Sequence, residues 1–104
     1  MARRLKMRQI TEKEKIRRQN AVQERKELRS ILTNVIGLHT EAQMYMNNAE
    51  FIPCSVKLVY EEANFNFWQY HDNAENIPVK QAIDHLEIAQ KCYNFVIARL
   101  KKYQ

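Results

Sequence analysis

The sequence predicts an all-α fold: a three-helix antiparallel bundle with a long N-terminal helix projecting as a basic arm. Three observations carry that prediction. A single Gly and two Pro in 104 residues leave little turn chemistry. Glu, Lys, Gln, Arg, Ala and Leu are abundant, which favours helix, and strand signals are nearly absent. Apolar residues also recur at helical spacing from Leu28 to Ala49 and again from Val79 to Leu100.

The arm is read from where the positive charge stops. Residues 1–29 hold eleven Lys and Arg against four Glu, a local net of +7. No Lys or Arg follows from Ser30 to Val56. The other 75 residues carry six basic and eight acidic side chains, a net of −2. The chain therefore divides into a basic arm, residues 1–27, and a mildly acidic bundle, residues 28–104.

The first helix is expected to begin near Thr11. Thr11-Glu12-Lys13-Glu14 reads as a capping box, in which Thr caps an amide and Glu14 reaches back. From Leu28 a heptad rhythm appears. Leu28, Val35, Ala42 and Ala49 fall at one position, and Ile31, Leu38 and Tyr45 at the other. Leu32 and Met46 widen the stripe. Gly37 interrupts it, which suggests a kink or a close helix approach there.

Pro53 sets the first break, because the residue before a proline is pushed out of helical geometry. The second helix is expected from about Pro53 to about His71. Its stripe is Val56, Val59, Ala63, Phe67 and Tyr70, with Tyr60 widening it. His71 to Asn76 is polar and turn-forming. Asn76 is expected to cap the third helix, with Pro78 in its first turn. Val79, Ala82, Leu86, Ala89, Tyr93, Val96 and Leu100 form the last seam.

Lengths set the architecture. At about 1.5 Å per residue, a helix from 11 to 49 spans roughly 58 Å, the second roughly 28 Å and the third roughly 38 Å. The half of the first helix after Leu28 fits an up-down-up bundle. The half before it overhangs. In that half an i,i+4 pair, Glu14 and Arg18, is placed to support the helix.

The arm offers Arg3, Arg4, Lys6, Arg8, Lys13, Lys15, Arg17, Arg18, Arg25, Lys26 and Arg29 as candidate nucleic-acid-binding residues. Such cations neutralise phosphates and release counterions. The arm contains no aromatic side chain, so base stacking is not expected. It lacks zinc-finger, RNP-type and helix-turn-helix patterns, so backbone contact without strong sequence readout is expected. A solvated charged helix and an acidic protein groove are the competing readings of the same residues.

Phe65 and Trp68 lie off the second helix's stripe. A helix apolar on most sides is sandwiched or meets an interface, so Phe65 and Trp68 are candidate interface residues. About 77 residues outside the arm make a small core. Self-association would bury more apolar surface, and a homo-oligomer is expected.

Cys54 and Cys92 are 38 positions apart, with no C-x-x-C pair, and fit neither a zinc site nor a dense disulfide scaffold. Cys92 is on the last seam and reads as a buried free thiol. His39, His71 and His85 stand in no E-x-x-H or H-E-x-x-H frame. Asp84 and Glu87 supply half a metal site at most. The helix order is similar in outline to the helical chorismate mutases, but the inward Arg and Lys of those enzymes have no counterpart in residues 30–56. No phosphate loop or R-x-x-x-x-H pattern is present.

No catalytic residue, metal or other cofactor is expected, and no membrane contact. The N-terminus lacks a secretory apolar core. Residues 1–10 are basic and free of acids, as in a mitochondrial presequence, but the acids from Glu12 onward favour an uncleaved arm. The reading is a non-catalytic, cytoplasmic binding subunit or adaptor whose arm contacts nucleic acid or a nucleoprotein complex. The alternative is a protein-only inhibitor or regulator, docking on an acidic protein surface through the arm and the helix-two aromatics.

Overall fold

A computed structural model describes the backbone of residues 2–102 and the side chains of residues 12–102. Three helices follow one another: α1 (Ala2–Asn48), α2 (Cys54–Asn73) and α3 (Val79–Lys101). The described residues contain no strand. The molecule measures 75 × 22 × 16 Å. A helix of 47 residues is about 70 Å long at the usual rise, so α1 alone sets the long axis.

α1 does not begin at Thr11. It runs through that residue from Ala2, so Thr11 is interior and cannot act as an N-cap. The stretch before it, Arg3-Arg4-Leu5-Lys6-Met7-Arg8-Gln9-Ile10, has no Gly, Pro or β-branched run to stop a helix. The Thr11 side chain lies outside the described side chains. Gly37 produces neither a kink-forming break nor a close approach. α1 continues through it, and a Cβ built there meets nothing within 4 Å.

Pro53 is the N-cap residue of α2, with φ −56° and ψ 145°. Its carbonyl accepts from the Val56 and Lys57 amides at 3.0 and 3.1 Å. Pro78 holds the same place for α3, at φ −59° and ψ 148°. That placement corrects the expected Asn76 cap. Pro78 itself holds the cap position and α3 has no side-chain cap. Asn76 instead closes the turn after α2, donating its backbone N–H to the Asn73 carbonyl at 2.8 Å.

The helices run up, down and up. Glu41 near the end of α1 meets Lys101 at the end of α3 at 3.8 Å, so those two helices are parallel. α2 pairs Asn66 with His85 and Asn64 with Tyr93, so it runs antiparallel to α3. α3 is the central helix. It packs along both α1 and α2, whereas α1 and α2 meet each other only weakly.

The core follows the heptad seams. Val35 and Ala42 of α1, Val56, Ala63 and Phe67 of α2, and Leu86, Ala89, Tyr93, Val96, Ile97 and Leu100 of α3 form one buried cluster. Ala42, Ala63 and Ala89 have no exposed surface, and such small side chains let the helices approach closely at the bundle's middle. Leu28, Ile31, Leu32, Leu38, Tyr45 and Met46 extend the cluster along α1, and Ala49 joins it just past the helix end. Cys92 is only partly buried.

Candidate functional site

The arm is the part of α1 that the bundle leaves uncovered. Among its described residues, 12–23 are all exposed, and Leu28 is the first apolar side chain packed against the core. Lys13, Lys15, Arg17, Arg18, Arg25, Lys26 and Arg29 are exposed. Arg3, Arg4, Lys6 and Arg8 lie outside the described side chains.

At about 100° per residue, those seven cations divide into two sets. Lys15, Arg18, Arg25, Lys26 and Arg29 fall within an arc of roughly 100°, with Val22 at its centre. This stripe is about 21 Å long at 1.5 Å per residue. Lys13 and Arg17 lie elsewhere, on the line that Val35 and Ala42 continue into the core. The five-residue stripe therefore faces away from the bundle. It ends at Arg29, after which the same face carries Thr33, Ile36, Thr40 and Met44. The Thr33 and Thr40 hydroxyls donate back to the Arg29 and Ile36 carbonyls at 2.9 and 3.0 Å.

The stripe's charge is not neutralised within the described residues. Two ion pairs fall within 4 Å among them: Lys101 with Glu41 and His71 with Asp72. Neither is in the arm, so the expected Glu14–Arg18 pair is not made. Unpaired cations on an exposed helix keep their affinity for an anionic surface.

On the other side of α1, an open groove of about 560 Å³ separates it from α3. Glu27, Ile31, Asn34, Ile83 and Glu87 are among its lining residues. Its only titratable groups are the two glutamates. A phosphate is repelled there and attracted to the outer stripe, so the two faces of the α1 root differ in sign.

The outer face of α2 is a second exposed feature. Leu58 is 61 % exposed, Phe65 58 % and Trp68 46 %. All three point away from the Val56, Ala63 and Phe67 line. Phe65 stands clear of the core. Trp68 is braced from beneath, its ring edge-on to Phe67 at 5.5 Å and to His71 at 5.1 Å between centroids.

Inside the bundle lies a polar layer that the heptad pattern does not announce. Tyr93, with no exposed surface, donates its hydroxyl proton to Asn64 Oδ1 at 2.6 Å. The Tyr93 hydroxyl oxygen lies 2.9 Å from His39 Nδ1, which then carries a proton and donates it to that oxygen. All three helices meet at this hydroxyl. His39 also stacks on Phe67, with centroids 5.0 Å apart and planes at 11°. A neighbouring set joins α2 to α3: Asn66, 4 % exposed, donates to the Glu62 carbonyl at 2.9 Å and accepts from His85 Nδ1 at 3.0 Å.

Burial dominates the electrostatics of this layer. It pushes the Tyr93 hydroxyl far above its ordinary range, with Tyr60 and Cys92 adding to the effect. Burial also lowers the His39 imidazole, against an opposing contribution from Asn64. The Cys92 thiol is raised, first by burial and then by the Glu62 carboxylate. The buried side-chain nitrogens and oxygens among the described residues all have partners. No three His, Cys, Asp or Glu among them gather as a metal site.

Among the described residues no helix is long and apolar enough to cross a membrane. The layer's members are visible in the sequence as types: Tyr93 sits on the last seam, and a buried tyrosine hydroxyl needs a partner. Asn64 and Asn66 on α2 and His39 on α1 are the polar residues one turn or less from the seams. No protein-family model, curated protein or solved structure matches this chain.

Proposed function

We propose that this protein is a non-catalytic helical binding subunit whose basic arm contacts nucleic acid or a nucleoprotein complex. One observation supports the reading above the rest. Lys15, Arg18, Arg25, Lys26 and Arg29 share one exposed, unpaired face of a helix that projects beyond the bundle. Their function is electrostatic: phosphate charge is neutralised and counterions are released. A rigid helix presents them in fixed register, and the neutral face beyond Arg29 bounds the contact. Self-association through Phe65 and Trp68 of α2 belongs to the same reading. Two free cysteines, Cys54 and Cys92, fit a reducing cytoplasmic setting.

The test is binding of the full chain to labelled RNA and duplex DNA of arbitrary sequence across a salt series. The expected result is tight binding at low salt that weakens steeply as salt rises. Absence of binding at low salt overturns it. A second reading then takes its place, a protein-only module docking on an acidic protein surface. The 58 % exposure of Phe65 and 46 % exposure of Trp68 favour it, because phosphate binding has no use for them.

A further inference from the structure

α2 presents an apolar face that nothing among the described residues covers. Leu58, Phe65 and Trp68 occupy one side of that helix, between 46 % and 61 % exposed. The same stretch is acidic. α2 carries Glu61, Glu62 and Asp72 against a single cation, Lys57. A patch of large apolar side chains among acids fits a helix that is cationic and partly apolar.

A symmetric pairing of two α2 faces fits poorly. It sets Glu61 and Asp72 against their own copies with Lys57 as the one cation on the helix, and juxtaposed like charges oppose association. The complementary surface exists elsewhere in the molecule. The arm carries a net of +7 over residues 1–29 and exposes Ile16 at 57 % and Val22 at 50 %. Its overhang of 27 residues is about 40 Å long at the helical rise, against about 30 Å for α2. α1 runs unbroken from Ala2 to Asn48, so the arm cannot fold back onto the α2 of its own chain. The contact must lie between molecules.

We propose that the outer face of α2 receives the basic arm of a second copy of this chain, helix against helix. The two surfaces are different, so the contact is heterologous. It closes as a dimer with exchanged arms or continues head to tail. Trp68 and Phe65 bury against the arm's apolar side chains, and Glu61 and Asp72 face its cations. This goes beyond the nucleic-acid reading and does not depend on it. Where both hold, a polyanion and a second copy compete for one arm.

The experiment is complementation, read as mass by light scattering without nucleic acid. The arm variant carries Arg18→Glu and Arg25→Glu. The face variant carries Leu58→Glu and Phe65→Glu, at positions that contribute little to the core. A second face variant, Leu58→Ser with Phe65→Ser, covers the case in which the first does not fold by circular dichroism. The wild-type chain is expected to self-associate at low salt and dissociate at high salt. Each variant alone is expected to be monomeric. Mixed in equal amounts they regain a dimer mass, because each supplies the surface the other lacks. A monomeric wild type overturns the proposal. So does a mixture that stays monomeric, or an arm variant that still assembles, which points to symmetric α2 pairing. The nucleic-acid reading fails separately, in its own salt series.

Discussion

His39 of α1 and Tyr93 of α3 are joined at 2.9 Å across 54 positions of sequence. That contact, with the Tyr93 hydrogen bond to Asn64 at 2.6 Å, is where the three helices are fixed to one another by direction as well as by burial. Apolar seams tolerate a small slide or rotation. A hydroxyl shared between two helices tolerates much less.

Replacing Tyr93 by Phe removes the shared hydroxyl and leaves the ring. The His39 and Asn64 groups lose their partner in a partly buried place, which costs about 1–3 kcal/mol. For a domain of this size that lowers the melting temperature by roughly 4–8 °C per kcal/mol. Thermal melts of Tyr93→Phe against wild type check it. An unchanged melting temperature means the layer contributes nothing net.

The lowered His39 value makes stability depend on pH. The unfolded chain takes up its proton near pH 6.5, while folded His39, held low by burial, stays neutral to lower pH. Its contribution is therefore complete above about pH 6.5 and declines as pH falls below that, since the unfolded state binds more protons there. Urea titrations on either side of this window should show lower stability on the acid side. An NMR titration of His39 with its midpoint above about 6.5 in the folded protein contradicts the sign.

Gly37→Ala should stabilise the protein. The position is mid-helix, exposed, with open space around the new Cβ and no positive φ. The helix-propensity difference is up to about 1 kcal/mol. Chemical denaturation with an unchanged slope and a higher midpoint is the expected outcome, and destabilisation would reveal a constraint on Gly37.

Charge reversal separates the two sets of arm cations. Arg18→Glu with Arg25→Glu alters the outward stripe, while Lys13→Glu with Arg17→Glu alters the line continuing the core face. Both pairs should leave melting nearly unchanged, within about 0.5 kcal/mol for each surface site. Only the first pair should strongly weaken polyanion binding. For every phosphate no longer neutralised, the log–log salt slope on duplex DNA becomes shallower by about 0.9. Equal weakening by both pairs would mean that the whole circumference of the arm binds.

The helices and their core faces are legible in the sequence because their signals are periodic. Val35, Ala42, Leu86, Ala89 and Val96 are readable as core from spacing alone, and all are buried. Pro53 and Pro78 mark both breaks. The caps are less legible: Asn76 carries a good capping side chain, but proline geometry two residues later claims the position. Thr11 fails as a start because a capping box competes poorly with continuous helix-forming sequence before it. The His39–Tyr93–Asn64 layer cannot be read from spacing. It depends on the rotation of α1 and α2 about α3, and heptad spacing fixes a face without fixing the axial register of polar groups. The stripe on the arm is readable as charge. Its outward direction needs the bundle as a reference.

The central place of α3 bears on how the chain acquires its structure. α3 follows α1 and α2 in sequence, yet each of them packs chiefly on α3 and only weakly on the other. During synthesis the earlier two helices emerge before most of the surface they settle on. Val35, Val56 and Phe67 stay wetted until Leu86, Tyr93 and Leu100 arrive. The bundle is therefore completed by the delivery of its third helix, and a nascent chain stalled before residue 79 exposes two largely unmatched apolar stripes to whatever chaperone attends it.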